Sequence, residues 1–296
     1  MIKKVFDKIG TLIKTRKRKL ETKSVLMELG ADEDKVINNL VGTFKFMMSH
    51  KQWSEEEIKS LSLVNEIREG HRASNETVDL MDYGAGNSKL QKKRTEKQMR
   101  EGVIEQFKIA DVCRKRSIQK EWGELIFKII RDFKPTNCLE LGTCLGVSAA
   151  YQVSALKLNG KGKFTTIEGS DVLARHADNN LKKLNYPDYS VHMGRFSDVL
   201  PKILSKDQPI DFAFIDGHHD KEATKGYFEL IYPFLSDRAI LIFDDINWSQ
   251  GMKEVWEHLY KNGEGVKISF DFIKWGICVI DKNGEKKENY YYPISL

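Results

Sequence analysis

Acidic residues follow four of the strands that can be read in the second half of this 296-residue chain. Glu140 ends the run CLE, Glu168 ends FTTIE, Asp216 follows FAFI, and Asp244 and Asp245 follow ILIF. Such carboxylates can accept hydrogen bonds from hydroxyl groups, hold hard cations or take part in proton transfer. In an open α/β sheet the ligand lies beyond the carboxyl ends of the strands, so these acids should meet at one edge.

The first acid belongs to a glycine turn within residues 138–151, CLELGTCLGVSAAY, which are typical of a strand, a tight turn and a helix. Gly142 has no Cβ and would let the backbone approach a ligand closely. The helix that begins after Gly146 would offer free N–H groups and a positive dipole end. The turn has neither the G-x-G-x-x-G of dinucleotide sites nor the Lys-Ser/Thr of a phosphate loop.

Glu168 ends the next strand, at the usual place for an acid that accepts hydrogen bonds from ribose hydroxyls. Together with the turn, it favours a cofactor with a ribose but no phosphate. The alternative interpretation of Glu168 is a cap for the helix that begins near Ser170.

Alternating strands and helices with short connections predict a doubly wound, mostly parallel, seven-stranded α/β sheet of the Rossmann-like type. Strands are predicted at 137–141, 163–168, 189–193, 210–215, 238–243, 265–271 and 275–281, the last two as a hairpin. Helices are predicted at 147–158, 171–184, 197–204, 220–235 and 249–262. This domain should span 103–296, after a helical N-terminal extension and active-site loop over 1–102.

The extension divides into segments of different character. Residues 21–75 read as helical, with Ser54 and Glu57 as a capping box, and 103–112 as a further helix with an apolar side. Residues 1–20 predict a basic amphipathic helix with eight Lys or Arg and one acid. It should pack on the protein itself or across a homodimer; an anionic membrane surface is the alternative, and nucleic acid is not favoured.

Composition limits the class of protein. Apolar residues make up 41% of the chain, enough for a packed core, and the net charge of +5 is too small for a polycation. No apolar run approaches about 18 residues, and no secretory signal is recognisable. The four cysteines are widely spaced, without zinc or disulfide patterns, so a reducing cytoplasm is expected.

The motifs ELGTCLGVS, IEGS, FIDGHHDKEATKGYFE and IFDDINW resemble those of class I S-adenosylmethionine-dependent methyltransferases. The chain is most similar to bacterial small O-methyltransferase-like proteins, from about residue 82 onward and most strongly over 134–256. The resemblance implies methyl transfer from S-adenosylmethionine to a small hydroxylated acceptor. The alternatives are a methyltransferase acting on a lipid or other macromolecule, and a non-catalytic binding or assembly protein that keeps the fold.

The resemblance also implies roles for individual residues. It assigns cofactor contacts to Glu140, Gly142, Thr143, Gly146, Ser148, Glu168, Gly169, Ser197, Asp198 and Asp216. In metal-dependent catechol-type relatives, the places of Asp216, Asp244 and Asp245 hold magnesium, so Mg²⁺ or Mn²⁺ could bind here. Asp245 stands where those relatives have Asn.

His218 and His219 are the candidate bases, with Asp216 beside them, because histidine titrates near working pH. Alternatively, one of the two histidines caps the following helix or binds the metal.

A second glycine-rich segment, VDLMDYGAGNS at 78–88, also looks like a strand entering a cofactor turn. No apolar helix face and no second strand follow it. It is better interpreted as a glycine-hinged loop near the mouth of the active site.

Overall fold

The computed structural model describes residues 18, 20–49, 51–84, 86–87, 92–284 and 290–294. The amphipathic helix predicted over residues 1–20 therefore lies almost wholly outside the described residues. Within the described ranges, none of the helices is long and apolar enough to cross a membrane.

The helices and strands are numbered in chain order. The helices are α1 (20–28), α2 (Lys35–Met48), α3 (Glu55–Arg72), α4 (Glu96–Glu101), α5 (Ile109–Arg116), α6 (Lys120–Phe133), α7 (Val147–Asn159), α8 (Asp171–Lys182), α9 (Phe196–Ile203), α10 (Lys221–Ile231) and α11 (Gln250–Asn262). The strands are β1 (Thr77–Asp82), β2 (Gly86–Asn87), β3 (Lys92–Lys93), β4 (Val103–Lys108), β5 (Asn137–Leu141), β6 (Lys163–Glu168), β7 (Tyr189–Met193), β8 (Ile210–Ile215), β9 (Leu235–Phe243), β10 (Val266–Asp271), β11 (Gly276–Asp281) and β12 (Tyr290–Pro293).

The central sheet has the order β7-β6-β5-β8-β9-β11-β10-β12 among the described residues. Strands β5 to β9 are parallel, and β11 runs antiparallel to both β9 and β10. This confirms the predicted α/β fold with its N-terminal helices, except that the sheet has eight strands rather than seven. The additional strand, β12, is short, ends in a proline and pairs only with β10 at the sheet edge, where proline is tolerated.

The order of the strands sets the position of a binding site. The chain proceeds from β5 outward through β6 and β7, then returns to the other side of β5 with β8 and β9. Helices on opposite faces leave a crevice where the direction of winding changes, beyond the carboxyl ends of β5 and β8. The predicted acids follow these strands and their neighbours.

The prediction of a helix over 103–112 is wrong for the first half of that range. Residues 103–108 form β4, which pairs antiparallel with β1 along its whole length, and only then does α5 begin. The apolar spacing of Val103, Ile104 and Phe107 suits either structure, so pairing with a distant strand decided the outcome.

The N-terminal helices share a hydrophobic core with one face of the sheet. Phe44 of α2 is fully buried, and its ring packs edge-on against Phe270 and Phe272 at centroid distances of 5.1 Å. The predicted capping box is confirmed, because Ser54 and Glu57 exchange side-chain and backbone hydrogen bonds at the start of α3. The division of the chain at residues 102 and 103 stays a prediction.

Replacing Phe44 with alanine should lower the free energy of unfolding by about 3–5 kcal/mol, because it opens a cavity between α2 and the sheet. Chemical denaturation followed by circular dichroism measures this. The control is Ile58→Ala on α3, where the side chain is 52% exposed and the change should stay within about 0.5 kcal/mol. An effect of Phe44→Ala no larger than that of the control would contradict a shared core.

Candidate active site

A cavity of about 920 Å³ opens at the carboxyl edge of the sheet. The ends of β5, β6, β8 and β9 form its floor, while the β1–β4 ribbon and the end of α5 form the opposite wall. Asp82, Tyr83 and Gly84, from the segment expected near the mouth of the site, line this cavity. Its volume is within the range of small-molecule sites, about 300–1,000 Å³.

Two glycines shape the turn after β5 for reasons of packing. Gly142 has φ +100°, and a Cβ there would overlap the carbonyl oxygen of Asp216, so a side chain would force β5 and β8 apart. Gly146, with φ +77°, begins α7 and would place a Cβ 2.8 Å from Cα of Ala177 in α8. Gly142 lines the cavity, whereas Gly146 does not.

Glu168 presents an oriented carboxylate to the cavity. Its Oε2 accepts a hydrogen bond from the Cys144 backbone N–H at 2.7 Å, and its Oε1 accepts one from the Ser170 N–H at 2.9 Å. A carboxylate has about four acceptor positions, so two remain for a ligand. Burial raises the pKa of Glu168, and the two backbone hydrogen bonds oppose that rise.

The ring of Tyr83 lies against Gly169, next to Glu168. A Cβ on Gly169 would be 2.8 Å from Cδ2 of Tyr83, so only glycine allows this approach. Gly169 also lines the cavity. Sequence reasoning did not single out Tyr83, although the glycine-rich segment around it was the available signal.

Glu140, Thr143 and Ser148 have side chains in the protein interior rather than in the cavity wall. Glu140 is fully buried and accepts hydrogen bonds from Gln152 Nε2 at 2.8 Å and Thr166 Oγ1 at 2.9 Å. The hydroxyls of Thr143 and Thr166 are 2.5 Å apart, and Ser148 also hydrogen-bonds Glu140. These residues therefore support the turn from inside, and burial raises the pKa of Glu140 to about 7.

The segment between β7 and α9 contributes different residues from those expected. The carboxylate of Asp198 accepts from Ser197 Oγ at 3.2 Å and from Arg195 Nε at 2.7 Å, on the exposed side of α9. Gly194, Arg195 and Phe196 line the cavity instead of Ser197 and Asp198. Sequence reasoning missed these residues because the motif marks the segment but not which side chain turns inward.

The structure brings together the three acids that were predicted to converge, and all of them line the cavity. Burial and the neighbouring Asp244 raise the pKa of Asp216 well above its usual range. Burial and Asp244 also raise the pKa of Asp245. The site therefore contains closely spaced carboxyl groups that resist ionising together.

Lys274, from the turn between β10 and β11, reaches the same acids, and the sequence analysis missed it. Its Nζ lies 3.4 Å from Oδ1 of Asp244 and 3.9 Å from Oδ1 of Asp245. Burial would lower the pKa of Lys274, but these carboxylates outweigh it and the pKa is raised.

The two histidines have different surroundings. His218 Nδ1 lies 2.6 Å from the hydroxyl of Tyr227, and burial lowers the pKa of His218. His219 Nε2 lies 3.7 Å from Oδ1 of Asp216 and 3.9 Å from Oδ2 of Asp245. Both histidines have left-handed backbone conformations, with φ +64° and +47°, which is uncommon for residues other than glycine. His219 is therefore the histidine that faces the acids.

A divalent cation would have to share this corner with an ammonium group. Oxygen ligands suit Mg²⁺ or Mn²⁺, and Oδ1 of Asp244 is buried without a hydrogen-bond partner in the described chain. That same oxygen, however, is the one nearest Lys274. Across the described residues no three His, Cys, Asp or Glu side chains are arranged to hold a metal ion. In this arrangement the corner does not fit a metal, and no step below depends on one.

Comparison with known proteins agrees with this geometry. Residues 139–246 match the family model described as a methyltransferase domain. An O-methyltransferase from Bacillus cereus, solved with SAH, is 18% identical and aligns over 83% of this chain and 100% of its own, with a TM-score of 0.52. The SAH-bound methyltransferase PaMTH1 of Podospora anserina is 16% identical over 79% of this chain and 98% of its own, also at 0.52.

The structural likeness shows the fold, and the family match covers the strands that bear the acids from Glu140 to Asp245. Together they show a Rossmann-like α/β fold in which one segment resembles a methyltransferase domain. Residues 139–246 are the part that matches the methyltransferase family.

Replacing Glu140 with glutamine should remove a pH dependence of stability. The folded-state pKa, about 7, lies above the ordinary value of 4.5, so the folded protein binds more protons between these values. The free energy of unfolding should therefore fall by about 3 kcal/mol as the pH rises from about 4.5 to 7. Denaturation at pH 5 and pH 8.5 should show that the free energy of unfolding of the variant rises relative to that of wild type at the higher pH. The exposed Glu56→Gln variant should show no such relative change. The same pH response in both variants would contradict the raised pKa of Glu140.

Proposed function

We propose that the protein transfers a methyl group from S-adenosylmethionine to a hydroxyl oxygen of a small acceptor. The observation that carries the proposal is the Glu168 carboxylate, held by two backbone N–H groups at the wall of the cavity. The SAH named for the Bacillus cereus and Podospora anserina proteins supports the choice of cofactor.

The cavity offers a cradle for the cofactor next to Glu168. Its two remaining acceptor positions would take the ribose hydroxyls, and the Tyr83 ring over Gly169 closes the site beside them. Phe196 supplies an aromatic face nearby for the adenine ring of the cofactor. Gly142 lines the cavity where the ends of β5 and β8 meet, so we expect the reactive end of the cofactor to lie there, facing Asp216.

When bound, S-adenosylmethionine supplies a methyl group on a positively charged sulfur. The protein has to hold the acceptor oxygen in line with that methyl group and accept the hydroxyl proton as the oxygen–carbon bond forms and the sulfur–carbon bond breaks. We assign the proton to His219, because its Nε2 faces the cavity acids. His218 is instead hydrogen-bonded to Tyr227.

Metal assistance by Asp216, Asp244 and Asp245 is the alternative to a metal-free reaction, and the ammonium group of Lys274 beside two of these carboxylates argues against it. A lipid or macromolecular acceptor, and association as a homodimer, would both depend on the helix predicted over residues 1–20, of which the structure describes only Arg18 and Leu20. A non-catalytic assembly role is disfavoured by the methyltransferase family match.

The cofactor site is tested by calorimetry with SAH. Glu168→Ala should weaken SAH binding by about tenfold to hundredfold, the cost of losing charged hydrogen bonds to the ribose. Asp171→Asn, on the first residue of α8 and 51% exposed, is the matched control and should bind like wild type. Thermal unfolding confirms that each variant is folded. A folded wild-type protein that gives no heat with SAH would overturn the cofactor assignment.

The base is tested once an acceptor is found by tritiated methyl transfer into fractionated cell extract. His219→Asn should lower the rate by about 10²- to 10⁴-fold, the usual contribution of a general base. His218→Asn should cost about tenfold or less, because its side chain is held by Tyr227 away from the acids. The reverse ranking would assign the proton to His218.

A further inference from the structure

The turn that carries Lys274 is fixed in place from both sides. Asn247 Nδ2 donates to the carbonyl oxygen of Ile273 at 2.6 Å, and the Ile246 N–H donates to the carbonyl oxygen of Lys274 at 3.1 Å. On the other side, Trp275 is fully buried against Trp122 and accepts from the Phe272 N–H through its carbonyl. The position of Lys274 is therefore set by the same loop that carries Asp245.

The backbone of this turn is also strained. Ile273 has φ +71°, a left-handed conformation that a β-branched residue rarely adopts, and its side chain points out, 55% exposed. Hydrogen bonds to the backbone of Ile273 hold this conformation: its N–H donates to Oδ1 of Asp271 at 2.7 Å, and its carbonyl oxygen accepts from Asn247. The next residue, Lys274, lines the cavity.

Lys274 meets acids that the rest of the protein leaves incompletely satisfied. Oδ1 of Asp244 is buried without a hydrogen-bond partner in the described chain, and Nζ of Lys274 lies 3.4 Å away. Asp245 lies between two positively charged or chargeable groups. Its Oδ1 is 3.9 Å from Lys274 Nζ, and its Oδ2 is 3.9 Å from His219 Nε2.

We propose that Lys274 is the resident cation of this acidic corner and occupies the place that a divalent metal ion would take. It is a positioning residue: it holds Asp244 and Asp245, and Asp245 in turn orients His219 toward the acceptor. This inference rests on the proposed methyl transfer, but its central claim concerns cation occupancy and can be measured without any acceptor.

The ammonium group of Lys274 and a divalent metal ion would compete for the same carboxylates. An ammonium group is a compact point charge with three donors and can compensate two carboxylates at about 4 Å. A divalent ion on the same oxygens would have to displace that group or sit beside a like charge, which is costly in a partly buried site. Removing the charge of Lys274 should therefore expose a latent cation site.

The experiment is Mn²⁺ binding, followed by the paramagnetic resonance signal of the free ion, on wild type and variants without added cofactor. Lys274→Met, which keeps the length and loses the charge, should bind one Mn²⁺ at least about tenfold more tightly than wild type. Lys274→Arg should resemble wild type, because the charge is kept. Lys253→Met, on the exposed surface of α11, is the matched control and should also resemble wild type.

Two further measurements locate the ion and separate the proposals. Asp244→Asn introduced into the Lys274→Met variant should abolish the new Mn²⁺ binding, which places the ion at the corner. SAH calorimetry on the same proteins reports the cofactor site independently, so a failure there leaves the cation result standing. If Lys274→Met does not fold, Lys274→Gln provides the same comparison.

Two outcomes would overturn the assignment of Lys274 as the resident cation. Tight Mn²⁺ binding by wild type that Asp244→Asn abolishes would overturn it, since the acids would then hold a metal with Lys274 displaced. Equal and weak binding by wild type and Lys274→Met would overturn it as well, because no cation site would lie beneath the ammonium group.

Discussion

The close approach of Gly142 to the carbonyl oxygen of Asp216 determines how the rest of the site is arranged. A Cβ at Gly142 would overlap that oxygen, so the ends of β5 and β8 can meet only because this residue has no side chain. The Asp216 N–H then donates to the Leu141 carbonyl at 2.9 Å, so the pairing of β5 with β8 extends to Leu141, the last residue of β5. The crevice on either side of this contact is where the acids of β6 and β9 converge.

Each buried acid near this crevice is compensated in a different way, and the way it is compensated indicates its role. Glu140 is enclosed by hydroxyl and amide donors and is part of the scaffold. Glu168 is held by backbone N–H groups that leave acceptor positions open to a ligand. Asp244 and Asp245 face the ammonium group of Lys274, which offsets part of their negative charge. Burying a carboxylate is costly in every case. The partners that offset this cost differ, and they indicate a supporting role for Glu140, a binding role for Glu168 and a role in positioning for Asp244 and Asp245.

Much of the fold was predictable because the local signals agree. The parallel strands are short apolar runs between turn residues, and β5, β6, β7 and β8 have the predicted bounds. The segment 103–108 was not predictable, since its apolar spacing suits a helix and only pairing with β1 decides for a strand. The position of an acid at a strand end also did not reveal whether its side chain points into the cavity or into the protein interior. Successive side chains of a strand point to opposite faces, and Glu140 turns toward Gln152 of α7.

Two of the residues that sequence reasoning missed come from segments far from the motif strands. Tyr83 follows β1 and Lys274 lies in the β10–β11 turn; the glycine-rich segment marked the neighbourhood of Tyr83 but not its side chain, and no local pattern marked Lys274. Both are placed by tertiary contacts: Tyr83 through the bare backbone of Gly169, and Lys274 through hydrogen bonds to the loop after β9. The motif strands thus provide the acids of the site. The added segments decide which groups reach those acids, and if the proposed methyl transfer is correct, they are where the choice of acceptor would be made.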